Sequence, residues 1–223
     1  QRQQVLKQHF YALGQGTVET AAAWWSRDTQ LQGRVDYYGL EHLHAAQALQ
    51  QHQGRGIILL TGHFTCLELG ARFVTWQTAF HAMYRPHKNP LYEELMRRCR
   101  AQQSRRPPLA RDNLRATVRA LRAGEALWYA PDQNYGGVES VFAPFFGVPA
   151  LTITATARLA KLGRAQILPY SVRDQGNGRY AIEFYPAWQD YPSGDDYADA
   201  LRINQFLEHA IAQAPEQYLW VHR

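Results

Sequence analysis

Alternating strand-like and helix-like segments over 223 residues predict an α/β fold: a central mixed sheet flanked by helices on both faces. Three observations carry this. Short apolar runs, such as Gly56-Ile57-Ile58-Leu59-Leu60 and Ala126-Leu127-Trp128-Tyr129-Ala130, read as strands. Segments with apolar residues at helical spacing separate them. The polar residues His63, Arg85 and Asp132 each follow a strand, where open α/β sheets gather their ligands.

Taken in order, residues 3–25 read as a helix with Val5, Leu6, Phe10, Leu13 and Val18 as its apolar positions, weakened in the middle by Gly14 and Gly16. Residues 35–39 alternate like a strand, and 40–51 form a helix closed by a glycine-bearing turn at 53–56. Strand 57–61 and helix 66–80 follow, then a strand ending at His81-Ala82-Met83-Tyr84-Arg85. Asn89-Pro90 opens a helix, and Pro107-Pro108 breaks the chain. Helix 113–123 stops at Gly124. Strand 126–130 leads into a loop at 131–137, and helix 153–162 ends at Gly163. Strands 166–172 and 180–184 pair as a hairpin across Gln175-Gly176-Asn177-Gly178. A final helix covers 196–213, before a short apolar end at 218–221.

A hydrophobic fraction of 46% with 19% charged residues suits one core, so residues 1–223 are expected to form a single domain. The formal charge of +5 favours an acidic partner: a phosphate-bearing lipid, an acidic protein or nucleic acid. Two cysteines, Cys66 and Cys99, cannot build a disulfide framework or a cysteine-rich zinc site, and reduced surroundings follow. No run of eighteen apolar residues exists to span a membrane.

Several chemistries are excluded. The chain has no G-x-S-x-G elbow, no P-loop and no G-x-G-x-x-G after a strand, so serine hydrolysis and those modes of nucleotide binding lack support. The nine histidines are scattered, and His42 and His44 point apart on a helix, so no metal is expected. Cys66 reads as a small buried hydrophobe rather than a nucleophile.

What remains is Thr61-Gly62-His63-Phe64-Thr65-Cys66-Leu67-Glu68, a strand-to-helix junction holding a histidine and a carboxylate. Two side chains five apart within one helix differ by about 140° and do not meet. With His63 in the entry loop, Glu68 can reach back to its ring as the orienter of a general base. The competing reading is a partly buried histidine beside a surface glutamate. Arg97, Arg98, Arg100, Arg105 and Arg106 form an arginine-rich stretch without lysine, which suits phosphate or carboxylate recognition and equally a solvated helix face.

With these residues assembled, the chain resembles the lipid A biosynthesis late acyltransferases of the lauroyl type, over nearly its whole length. The resemblance rests on His63-Phe64-Thr65-Cys66-Leu67-Glu68-Leu69-Gly70, Tyr84-Arg85-Pro86-His87-Lys88-Asn89 and Arg98-Cys99-Arg100. It continues through Arg111-Asp112-Asn113-Leu114-Arg115, Ala130-Pro131-Asp132-Gln133, Phe142-Ala143-Pro144-Phe145-Phe146 and Ala214-Pro215-Glu216-Gln217-Tyr218-Leu219-Trp220.

The resemblance implies a glycerol-3-phosphate acyltransferase-like fold. It also implies transfer of a fatty acyl chain from acyl carrier protein to a hydroxyl of Kdo2-lipid IVA, with no cofactor beyond that thioester co-substrate. His63 and Glu68 correspond to the catalytic pair. Arg100 and Asp132 match further positions important for activity, and Arg85 is a supporting or substrate-binding residue. Arg100 is expected to bind acceptor phosphate or position the site. Asp132 is expected to orient Arg100 or another catalytic side chain, and Phe142, Phe145 and Phe146 could line an acyl groove. Such enzymes work at the cytoplasmic face of the inner membrane through an N-terminal anchor. A chain opening at Gln1 is expected to have lost that anchor, and its end at His222-Arg223 falls short of the usual basic tail. The alternatives are acyl transfer to a different glycolipid acceptor and a non-catalytic phosphate- or lipid-binding module.

Overall fold

The computed structural model of the chain describes residues 2–133 and 139–220. Positions 134–137 of the expected loop, and Val221, His222 and Arg223, lie outside the described residues. The chain runs α1 (Arg2–Trp25), α2 (Asp28–Leu31), β1 (Val35–Tyr38), α3 (Leu40–Gln53), β2 (Ile57–Leu60) and α4 (Leu67–Val74). Then come β3 (His81–Tyr84), α5 (Pro90–Ser104), β4 (Leu109–Ala110), α6 (Leu114–Arg122), β5 (Ala126–Tyr129), β6 (Ser140–Phe145) and β7 (Val148–Ile153). It closes with α7 (Ala155–Gly163), β8 (Gln166–Gly176), β9 (Arg179–Phe184), α8 (Asp196–Gln213) and a 3-10 turn, Pro215–Gln217.

Seven strands form one mixed sheet in the order β1-β9-β8-β2-β5-β3-β4. Only the β8–β9 hairpin is antiparallel; the other neighbours are parallel. A parallel strand covered on both faces needs apolar side chains on both, and Ile57, Ile58, Leu59 and Leu60 are all fully buried. They alternate as the pleat requires. Ile57 and Leu59 pack into a core layer with Phe73, Tyr170 and residues of α1, α3 and α4. Ile58 and Leu60 enter a second layer with Leu121 of α6 and Leu159 of α7.

The register of β2 on β5 positions the site. Ile57 faces Ala126 and Leu60 faces Tyr129, and the Thr61 N–H donates to the Tyr129 carbonyl at 3.0 Å. Three residues beyond Leu60 is His63, and three beyond Tyr129 is Asp132. The two polar side chains therefore leave adjacent parallel strands in the same row.

Some expectations are corrected. The helix expected over 66–80 is shorter, Leu67–Val74; the Thr75 hydroxyl donates back to the Arg72 carbonyl at 2.6 Å and a turn follows. Residues 140–153 make a two-stranded ribbon, β6–β7, so the next helix starts at Ala155 rather than at Ile153. In the ribbon Pro144 faces Pro149, where a missing N–H costs no ladder bond to a third strand.

Candidate active site

His63 sits in the loop between β2 and α4, on the wall of a cavity of about 440 Å³. Tyr84 and Arg85 at the end of β3, Tyr129 at the end of β5, and Arg111 and Arg158 line the same cavity. The convergence expected of strand exits is present: His63 and Arg85 share the cavity, and Asp132 stands against His63.

The His63–Asp132 contact is double. Asp132 Oδ1 lies 2.5 Å from His63 Nδ1, and Asp132 Oδ2 accepts the His63 backbone N–H at 2.7 Å. The second bond fixes the loop, so the first has a defined direction. Burial would push the Asp132 carboxyl up. The His63 charge, the His63 ring and backbone N–H groups, and the Tyr218 hydroxyl outweigh that burial and hold it below its ordinary value of 3.8. An ionised carboxylate on Nδ1 keeps that nitrogen protonated, which gives Nε2 the lone pair.

Gly62 permits this packing. A Cβ there would meet Leu207 at 2.9 Å and Asp132 Oδ2 at 3.4 Å. The chain's end completes the support: the Leu219 N–H donates to the His63 carbonyl at 2.9 Å, the Thr65 N–H to the Gln217 carbonyl at 2.8 Å, and Phe64 bridges Tyr218. Tyr218, to which the sequence alone assigns no role beyond a short apolar end and a motif of the family resemblance, is part of this support.

Glu68 takes a different position from the expected one. Rather than reaching back to the imidazole, it pairs with Arg100 of α5, and its Oε2 accepts the Trp24 indole N–H of α1 at 3.0 Å. Its place in the first turn of α4 aims the side chain at α1 and α5, away from the β5 exit, where the shorter Asp132 already occupies Nδ1. Burial raises the Glu68 carboxyl, but the Arg100 charge and the hydrogen bonds of Arg100 and Trp24 overcome this and lower it. Arg100, for its part, is spent on Glu68, and Asp132 orients His63 rather than Arg100.

The rest of the arginine stretch is largely engaged within the chain. Arg97 and Arg98 pair with Glu94, three and four residues back, and Arg106 with Glu125. The expected acyl-lining aromatics are not on the His63 cavity: Phe145 is buried against Tyr218, whereas Phe142 and Phe146 are exposed on the β6–β7 ribbon. Cys66 is buried, and burial pushes its thiol upward, far from a nucleophilic thiolate. Among the described residues no helix is long and apolar enough to cross a membrane.

A histidine held by a buried carboxylate at the wall of a cavity can act as a general base on a hydroxyl. Comparison with known proteins identifies the chemistry. The chain is 39% identical over 225 residues to the lipid A biosynthesis palmitoleoyltransferase of Escherichia coli (strain K12), covering 100% of this chain and 72% of the relative. It is 37% identical over 225 residues, with the same coverage, to the lipid A biosynthesis lauroyltransferase of that organism. Among solved structures, the 1-acyl-sn-glycerophosphate acyltransferase PlsC from Thermotoga maritima superposes with a TM-score of 0.50 at 14% identity, over 92% of this chain and 81% of that one. That likeness bears on the fold and agrees with the expected glycerol-3-phosphate acyltransferase-like architecture. The family model for bacterial lipid A biosynthesis acyltransferases matches residues 1–223, and the chain, an acyltransferase, belongs to that family.

Proposed function

We propose that the protein transfers a fatty acyl chain from an acyl carrier protein thioester to a hydroxyl of Kdo2-lipid IVA, at the cytoplasmic face of the inner membrane and with no further cofactor. The observation that supports it is the His63–Asp132 pair, 2.5 Å apart, on the cavity wall.

His63 is the catalytic base in this reading. Its Nε2 takes the proton of the acceptor hydroxyl as that oxygen attacks the thioester carbonyl. The tetrahedral intermediate collapses with cleavage of the C–S bond, and the imidazolium returns its proton to the departing thiolate. The thioester is already activated, so no covalent acyl-enzyme is required. Asp132 is the positioning residue that fixes the tautomer and stabilises the imidazolium. Glu68 remains part of the site in a changed capacity: with Arg100 and Trp24 it braces the entry of α4, which follows His63 by four residues. Arg85 supplies a cation for an acceptor phosphate entering the same cavity.

The test is incubation with acyl carrier protein thioester and Kdo2-lipid IVA, read by mass spectrometry of the lipid. Addition of one acyl chain by the wild type and its loss in His63→Ala are expected. Product from His63→Ala at the wild-type rate would sink the assignment.

A further inference from the structure

Helices α6 and α7 carry a surface that the reaction at His63 leaves unexplained. In α6, Arg115, Arg119 and Arg122 recur at i, i+4 and i+7, which places them in one stripe. All three are exposed, while Thr117, Ala120 and Leu121 on the other side are buried. α7 packs beside it, with the Arg122 Nε–H donating to the Leu162 carbonyl at 2.8 Å, and adds exposed Arg158 and Lys161. The two helices contain five cations and no acid, a charge equal to the formal +5 of the whole chain. Among the described residues, Arg158 is the one of the five in an ion pair, an exposed one with Glu139. Like charges one turn apart repel, and nothing within either helix offsets that.

The position of this ridge is informative. Both helices begin at the His63 cavity, where Leu114, Ala155 and Arg158 form part of the wall. The arginine row then runs about 10 Å away from it, at about 1.5 Å per residue, roughly the width of one helix lying across it. Surfaces that enter a bilayer combine cations with large apolar side chains. Here those side chains are few, Leu114 and Leu162, while exposed Phe10, Tyr11, Val18 and Trp25 belong to α1, which packs against the other core layer. The ridge is basic without being greasy.

We propose that the α6–α7 ridge is the docking surface for an acidic, helical carrier protein that brings the acyl thioester to the cavity. This rests on the carrier-protein donor of the preceding subsection. Charge complementarity of this kind steers encounter and fixes register, and it weakens as salt rises.

The experiment compares two donors bearing the same acyl chain, the carrier-protein thioester and the acyl-pantetheine thioester. The triple variant Arg115→Glu, Arg119→Glu, Arg122→Glu should lower the ratio of kcat/KM on the carrier donor to that on the pantetheine donor at least tenfold, through KM. The corresponding triple Gln variant should fall in between, and the steep salt dependence of the wild-type KM for the carrier should flatten. An unaltered ratio, or equal losses on both donors, would overturn the proposal. So would loss of binding to phosphatidylglycerol vesicles with the carrier KM intact, which would make the ridge a membrane contact. A wild type that uses acyl-pantetheine but ignores the carrier donor would remove the donor reading together with the surface. An unaltered ratio removes the surface alone.

Discussion

Glu68 and Arg100 close on each other between the first turn of α4 and the middle of α5, with side chains only 16% and 17% exposed. Removing one member leaves a poorly solvated charge, which costs about 3–5 kcal/mol when burial is deep. Arg100→Ala should therefore lower the unfolding free energy by about 3 kcal/mol, measured by urea titration. The double variant Glu68→Leu, Arg100→Leu should lose less than the sum of the two single changes. Additive losses would show that the pair is not coupled.

Asp132 is hydrogen-bonded to both the ring and the backbone of His63, so in the proposed mechanism its removal should appear in turnover. Asp132→Asn is expected to lower kcat by about 100- to 10,000-fold, the range of general-base assistance, with the acceptor KM within about twofold of wild type. A reduced active fraction would also lower the apparent kcat at unchanged KM, so circular dichroism and denaturant unfolding of the variant accompany the steady-state kinetics and check that it is folded.

The same carboxylate links stability to pH. Its folded pKa lies below the ordinary 3.8, so below neutrality the unfolded chain takes up this proton first. The contribution is present above about pH 4 and is lost as pH falls through the lower folded value. The stability difference between wild type and Asp132→Asn should thus hold from pH 7 to about 5 and shrink below 4, in denaturant titrations at each pH. A difference that grows as pH falls below about 4 would contradict the assignment.

Two glycines two residues apart in α1 should respond with opposite signs. A Cβ at Gly14 meets nothing within 4 Å, so Gly14→Ala should stabilise by about 0.5–1 kcal/mol. A Cβ at Gly16 collides with the Thr65 carbonyl oxygen beside His63, so Gly16→Ala should destabilise by about 1–3 kcal/mol. Thermal unfolding of the two variants checks this.

Arg85 lines the same cavity as His63, and the proposed reaction sets it against an anionic acceptor. Arg85→Gln should raise the acceptor KM about tenfold and leave kcat nearly unchanged, since a charge-assisted hydrogen bond is worth about 1.5–3 kcal/mol. A selective fall in kcat would move Arg85 from binding to chemistry.

Much of this was legible in the sequence. The doubly covered strands announce themselves as the apolar runs at 57–60 and 126–129, and a polar residue after each marks the ligand end of the sheet. The partner of His63 was not legible from local spacing, because it comes from 69 residues away through strand register, while Glu68 is only five positions along. The direction of a side chain in a helix's first turn depends on what packs opposite it. For Glu68 that is Trp24 and Arg100, 44 and 32 residues distant. The ribbon at 140–153 was hidden by Pro144 and Pro149, which argue against a strand wherever a ladder needs every N–H.

The shared row of β2 and β5 also bears on how the protein comes to be active. Neither half of the His63–Asp132 pair can be assembled by local structure, since the chain must first bring two segments 69 residues apart into one parallel pairing, itself slowed by the loop that must close. A nascent chain that has not yet emerged past residue 132 holds His63 without its Asp132 partner. During refolding, helical signal should recover ahead of turnover, and the lag between them would time the closing of the central sheet.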